Sequence, residues 1–123
     1  MKHLWPIRLI WVLLRNQIWL KPHAWSAHRH IRALVSAAGF KLESSELQLG
    51  LTEAQDLELA LIFQSDKDLA CIQASSLPAD LLGEFRQQLA TSGYPASAAA
   101  KAIVTLHSSE EIARCGGYYQ YFK

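Results

Sequence analysis

The sequence predicts an α+β domain: a basic, tryptophan-rich helical hairpin over residues 1–40, then an acidic part over 41–123. There a small, mostly antiparallel sheet carries two interposed helices. Three observations carry this expectation. Apolar residues recur at helical spacing as far as Ala38, the pattern switches to strict alternation from Leu47, and helix-start and helix-stop residues punctuate the second half. The length of 123 residues suits one domain, 1–123, and 50% apolar against 19% charged residues is the balance of a chain that folds.

The first helix is expected over about 7–20, because Pro6 suits a first helical turn and Pro22 is expected to end what precedes it. On a helical wheel Ile7, Ile10, Trp11, Leu14 and Ile18 share one broad apolar arc. Leu9 and Leu13 add a second patch, and Arg8 and Arg15 occupy a narrow polar edge. A helix that is apolar almost all round needs cover. The expected cover is its own domain, with both arginines reaching water along their apolar stems.

A membrane span fits residues 4–20 less well. The segment is at the short limit for crossing a bilayer, and a central Arg15 costs about 2.5–3.5 kcal/mol on insertion. A secretory signal is disfavoured because only residues 9–14 form an unbroken apolar run. A mitochondrial-type presequence is disfavoured by the shortage of serine and the excess of tryptophan.

A second helix is expected from a Ser26 cap to a stop at Gly39, with Ala27, Ile31, Leu34, Val35 and Ala38 on its apolar side and Arg29, Arg32 and Ser36 opposite. Residues 21–25 join the two helices. Leu47, Leu49 and Leu51 then alternate, as do Leu57, Leu59 and Leu61, so 57–63 is predicted as a strand. The alternative is a helix opened by a capping box of Thr52 with Gln55.

Residues 64–68 (QSDKD) read as a turn and 69–75 (LACIQAS) as a returning strand. Pro78 opens a helix presenting Leu81, Leu82, Phe85 and Leu89, with Gly93 at its end. Residues 102–107 (AIVTLH) form a strand. Ser108 with Glu111 caps a short helix stopped at Gly116 and Gly117, and YYQYF over 118–122 is predicted as a terminal strand from its aromatic content.

Charge divides the chain in two. Residues 1–42 hold seven bases (Lys2, Arg8, Arg15, Lys21, Arg29, Arg32, Lys41) and no acid. Residues 43–123 hold all eleven acids against five bases, a net of −6, which points to two surfaces with different partners. Two cysteines, Cys71 and Cys115, far apart in sequence are not a disulfide framework, so a reduced intracellular chain is expected.

Candidate chemistry is sparse. His23, His28 and His30 are spaced by five and two rather than the three or four that put two ligands on one helix face, so they are expected on an exposed polar face. His107 is expected to face water at a strand end. Cys115, near a helix C-terminus, lacks the field that lowers a thiol pKa. There is no phosphate-binding glycine loop. Asp66 and Asp68 read as turn residues, and Glu110 and Glu111 as residues of a helix first turn, where the dipole favours them. No cofactor, metal, catalytic residue or small-molecule substrate is expected.

Nucleic-acid binding through the basic first part is a third class: seven bases with stacking-capable tryptophans suit a phosphate backbone, but the tryptophans fall inside the apolar helix and the bases form no stripe. The acidic side is better suited to recognition. Glu43, Glu46, Glu53, Asp56 and Glu58 form a base-free stretch; of these Glu53, Asp56 and Glu58, followed by Asp66 and Asp68 and accompanied by Tyr118, Tyr119 and Tyr121, suit a basic protein partner: complementary charge speeds docking and aromatic rings anchor it.

Residues 57–123, through SGYP (92–95), HSSEEI (107–112) and GGYYQYF (116–122), resemble the small bacterial immunity proteins that guard against contact-dependent growth-inhibition and related polymorphic toxins. The resemblance implies a non-enzymatic, cytoplasmic inhibitor that occludes one cognate toxin domain, often a nuclease. It carries over no individual site residue. The rival expectation is a membrane-surface or membrane-anchored protein that uses residues 4–20.

Overall fold

A computed structural model describes residues 5–50, 54 and 56–122. Helical conformation runs unbroken from Trp5 to Ala37 in three pieces: α1 (Trp5–Leu14), a π-helical segment (Arg15–Leu20) and α2 (Lys21–Ala37). Pro22 lies in the first turn of α2 and does not terminate the helix. Its ring crowds the carbonyl four residues earlier, at Ile18, and it has no N–H to offer that carbonyl. The wide π turn falls where this conflict arises and carries the chain through it. The joint between the two helices is therefore Arg15–Leu20 rather than 21–25, and α2 starts ahead of Ser26.

The expectation that the opening helix packs on its own domain is corrected. Ile7, Ile10, Trp11, Leu14, Ile18 and Trp19 are exposed, and among the described side chains Leu20 is the first to enter the core. Among the described residues no helix is long and apolar enough to cross a membrane.

β1 (Leu42–Leu49) pairs antiparallel with β2 (Leu57–Phe63), with a register shift between Leu42 and Ser44 that makes Glu43 a bulge. β2 then pairs with β3 (Ile103–Ser108) in parallel, giving the order β1-β2-β3. The sheet is thus mixed, not mostly antiparallel. The chain between β2 and β3 is a long helical crossover, which delivers the returning strand in the same direction.

Two predicted strands are helices. Residues 69–75 belong largely to α3 (Asp66–Gln73): the Ser65 hydroxyl accepts from the Asp68 N–H at 3.2 Å, and Asp66 and Asp68 occupy the first turn. QSDKD is a helix start, a capping serine followed by two acids at the positive end of the dipole, and not a hairpin turn. Residues 118–122 fall mostly in α7 (Tyr118–Tyr121). Aromatic β-propensity is context-dependent and gives way here to ring packing against the sheet. The box of Thr52 with Gln55 lies outside the described residues.

α4 (Leu77–Ser92) buries Leu81, Phe85 and Leu89, with Pro78 in its first turn, and ends at Gly93, whose φ of 106° is the left-handed conformation glycine adopts without strain. A short α5 (Ala96–Ala99) leads into β3. α6 (Ser109–Arg114) opens as expected, with the Ser108 hydroxyl accepting from the Glu111 N–H at 3.1 Å.

The core lies between the inner sheet face and the α2/α4 pair. Leu57, Leu59, Leu61 and Phe63 of β2 meet Ala27, Ile31 and Val35 of α2 and Leu81, Phe85 and Leu89 of α4. A contact from His30 Nε2 to Glu84 Oε2 (3.2 Å) links the two helices. Buried Tyr94 donates its hydroxyl proton to the Ala54 carbonyl, and desolvation pushes its pKa up to about 12.

His28 corrects an expectation. It is 1% exposed, faces the sheet rather than water, and places Nε2 2.6 Å from the Ser45 hydroxyl. Burial, seconded by the Arg32 charge, lowers its pKa, so the ring is held neutral.

Candidate functional site: the outer face of the sheet

Alternation in the three strands sends one set of side chains away from the core. The register aligns Ser44, Glu46 and Gln48 of β1 with Ile62, Ala60 and Glu58 of β2, and these in turn with His107, Thr105 and Ile103 of β3. α7 and Phe122 cover one end of this outer face. The Gly116–Gly117 pair, both at positive φ, turns the chain back after α6. The His107 ring meets Tyr121 and Phe122 edge-on at centroid distances of 5.2 and 4.9 Å, and Tyr118 stacks at a tilt on Phe122 at 4.6 Å. Ile62, opposite His107 in the register, is buried although it points outward.

A directed chain of hydrogen bonds crosses the face. The Thr105 hydroxyl donates to Glu58 Oε2 (3.0 Å), so it accepts from His107 Nε2–H (2.8 Å). His107 Nδ1 is then the acceptor for the Tyr121 hydroxyl (2.8 Å). Every donor points toward the Glu58 carboxylate, the arrangement in which neighbouring bonds polarise one another favourably. Burial lowers the His107 pKa, opposed by Glu58, and burial raises that of Tyr121. The expectation that His107 faces water is corrected: both ring nitrogens are engaged within the face.

Tyr118, 40% exposed, directs its hydroxyl to Glu46 Oε2. At the other end of the face an open depression of about 450 Å³ is lined by Gln48, Gly50, Asp56, Glu58, Lys101 and Ile103. Asp56 is exposed, and Ile103 is an exposed apolar residue on the free edge of β3.

The structure divides the acidic residues singled out in the sequence. Asp56, just before β2, and Glu58, its second residue, line the depression together and share the face with Glu46, Tyr118 and Tyr121. Asp66 and Asp68 lie beyond the far end of the strand, roughly 20 Å away. The Asp66 carboxylate is already engaged: it accepts from the Ser108 hydroxyl at 2.5 Å and pairs with Arg114 at 2.6 Å, which holds its pKa below the usual carboxylate range. Its backbone N–H donates to Glu110 (2.8 Å), so this cluster ties α3 to α6. Tyr119 belongs to α7, and Glu53 and the Tyr119 side chain lie outside the described residues.

Glu46, Thr105 and His107 complete the face; Glu46 belongs to the base-free acidic stretch of the sequence but not to the predicted partner set, and Thr105 and His107 belong to neither. Glu46 and Gln48 alternate with Leu47 and Leu49, which marks them as outward-facing. No pattern in the sequence says that Glu46 stands two strands from Thr105 or beneath Tyr118.

Cys71 and Cys115 are free and exposed, and the Cys115 thiol pKa is raised by desolvation and by Glu111. Among the described residues no group of three or more His, Cys, Asp or Glu is arranged to hold a metal ion. Comparison with protein-family models, curated proteins and solved structures returns no match.

Proposed function

We propose that this chain is a binding protein of the immunity type, which neutralises a cognate toxin domain by covering a basic cleft with the outer face of its sheet. What carries the reading is the convergence of Glu46, Asp56 and Glu58 with an exposed Tyr118 on one side of the molecule, in a segment of net charge −6. Acidic side chains accelerate encounter with a basic partner, and a rigid phenol at the margin supplies contact area at low entropic cost. The hydrogen-bond chain from Tyr121 to Glu58 holds α7 against the sheet, so the face meets its partner preformed. In this reading the partner is a basic protein, often a nuclease domain, and the site of action is the cytoplasm. Asp66 and Asp68 belong to the scaffold, and Asp56 and Glu58 to the interface.

The test is affinity capture from the host at low and raised salt, with the native chain beside a Glu46→Lys/Asp56→Lys/Glu58→Lys variant whose thermal unfolding is checked first. One basic protein held at equal stoichiometry by the native chain, released by salt and lost with the variant, is the expected result. Retention of the same protein by a folded variant removes the proposal.

A further inference from the structure

The proposed interface leaves the opposite pole of the molecule unexplained. There a helical segment leads into α2 with apolar residues bare among those described: Trp11 and Trp19 are 66% and 68% exposed, and Ile7, Ile10, Leu14 and Ile18 are exposed beside them. Ile7, Ile10, Trp11 and Leu14 recur at spacings of three and four, so they line one side of α1, with exposed Arg8 at its margin. We infer that the segment from Trp5 to Leu20 lies in the surface of an anionic lipid bilayer, parallel to its plane.

Charge complementarity selects this occupant. Residues 1–42 carry seven bases and no acid, so two copies joined through this helix would set like charges against one another, while anionic headgroups neutralise them. The same segment continues into α2 with exposed Trp25, Arg29 and Arg32. Indole rings favour the headgroup level, and arginines at the margin of an apolar arc reach the lipid phosphates along their stems. Sixteen helical residues measure roughly 24 Å, and no helix among those described is long and apolar enough to cross a membrane, so the fitting geometry is an interfacial one. α2 packs on the inner sheet face, which leaves the acidic outer face directed away from the α2 layer. Lipid contact and partner docking therefore use separate surfaces.

The test mixes the purified full chain with vesicles of phosphatidylcholine alone, or of phosphatidylcholine with phosphatidylglycerol, and follows co-sedimentation and tryptophan emission. The expected result is binding to the anionic vesicles, weakening with salt and accompanied by a blue shift. Arg8→Gln lowers the partition coefficient about fivefold, the worth of one basic residue at an anionic surface. Ile10→Asn with Trp11→Asn abolishes binding without altering thermal unfolding. Equal binding to neutral vesicles overturns the inference, as does no binding to either. A dimer in solution that the Ile10→Asn/Trp11→Asn pair disperses overturns it in favour of a second copy. Asp56→Lys with Glu58→Lys leaves vesicle binding undiminished, so this inference and the toxin-inhibitor reading fail separately.

Discussion

His28 Nδ1 is the buried side-chain nitrogen that finds no partner among the described residues, while Nε2 of the same ring meets Ser45. His107 satisfies both nitrogens, yet it too is held below its ordinary pKa of 6.5 by burial. For both rings the folded chain binds a proton less readily than the unfolded one. Their contribution to stability is therefore complete above about pH 6.5 and is lost as pH falls through the lowered folded values. Urea midpoints measured between neutral and acidic pH are expected to fall, and His28→Leu with Ser45→Ala to flatten part of that fall. An acid limb unchanged in the double variant would show that His28 is not a source. The sequence spoke poorly for these two residues. Helical spacing puts Ala27, Ile31, Leu34 and Val35 on one face, and His28 shares the turn with them, yet histidine's mixed chemistry favoured water. Only the position of Ser45 on β1 turns that position into a buried polar contact.

Among the elements, capping chemistry was legible and strand assignment from short apolar runs was not. Ser108 with Glu111, Pro78 and Gly93 act where the sequence puts them, because each works through backbone groups within four residues. Ser65 does the same for α3, yet LACIQAS, a short run after a polar segment, reads as a returning strand, although Leu69 and Ile72, three apart, share one helix face and opposite faces of a pleat. Ser65→Ala removes the acceptor for the Asp68 N–H and is expected to lower stability by about 1 kcal/mol. Chemical denaturation with the m-value held constant measures it, and a change near zero would mean that the Asp66 contacts with Arg114 and Ser108 hold the helix start unaided. YYQYF posed a different difficulty. Its rings have sheet propensity, but their neighbours are His107 and Glu46, which lie 11 or more residues away along the chain and become neighbours only once the sheet has formed.

At the scale of the whole molecule, the two charge regions of the sequence become two poles. A basic helical segment with bare apolar residues lies on the α2 side, and an acidic face with a phenol at its margin lies on the other side of the sheet. Because no described side chain of α1 enters the core, deleting residues 1–14 is expected to change unfolding stability by no more than about 0.5 kcal/mol. A larger loss in denaturant titration would place α1 within the folding unit. The sequence by itself determined the α+β class, the helical first part, the β2 strand over 57–63, the capped α6 and the division of charge. Each of these follows from periodicity, short-range capping or composition. Tertiary structure alone decided that β3 returns parallel to β2, that α7 folds back over His107, that Asp66 is spent on Arg114 while Glu58 shares a face with Tyr118, and that α1 stays uncovered. These outcomes depend on which segments, distant in sequence, compete for the two faces of one three-stranded sheet. α2 and α4 pack on the inner face, and nothing within a single segment records which helices will do so.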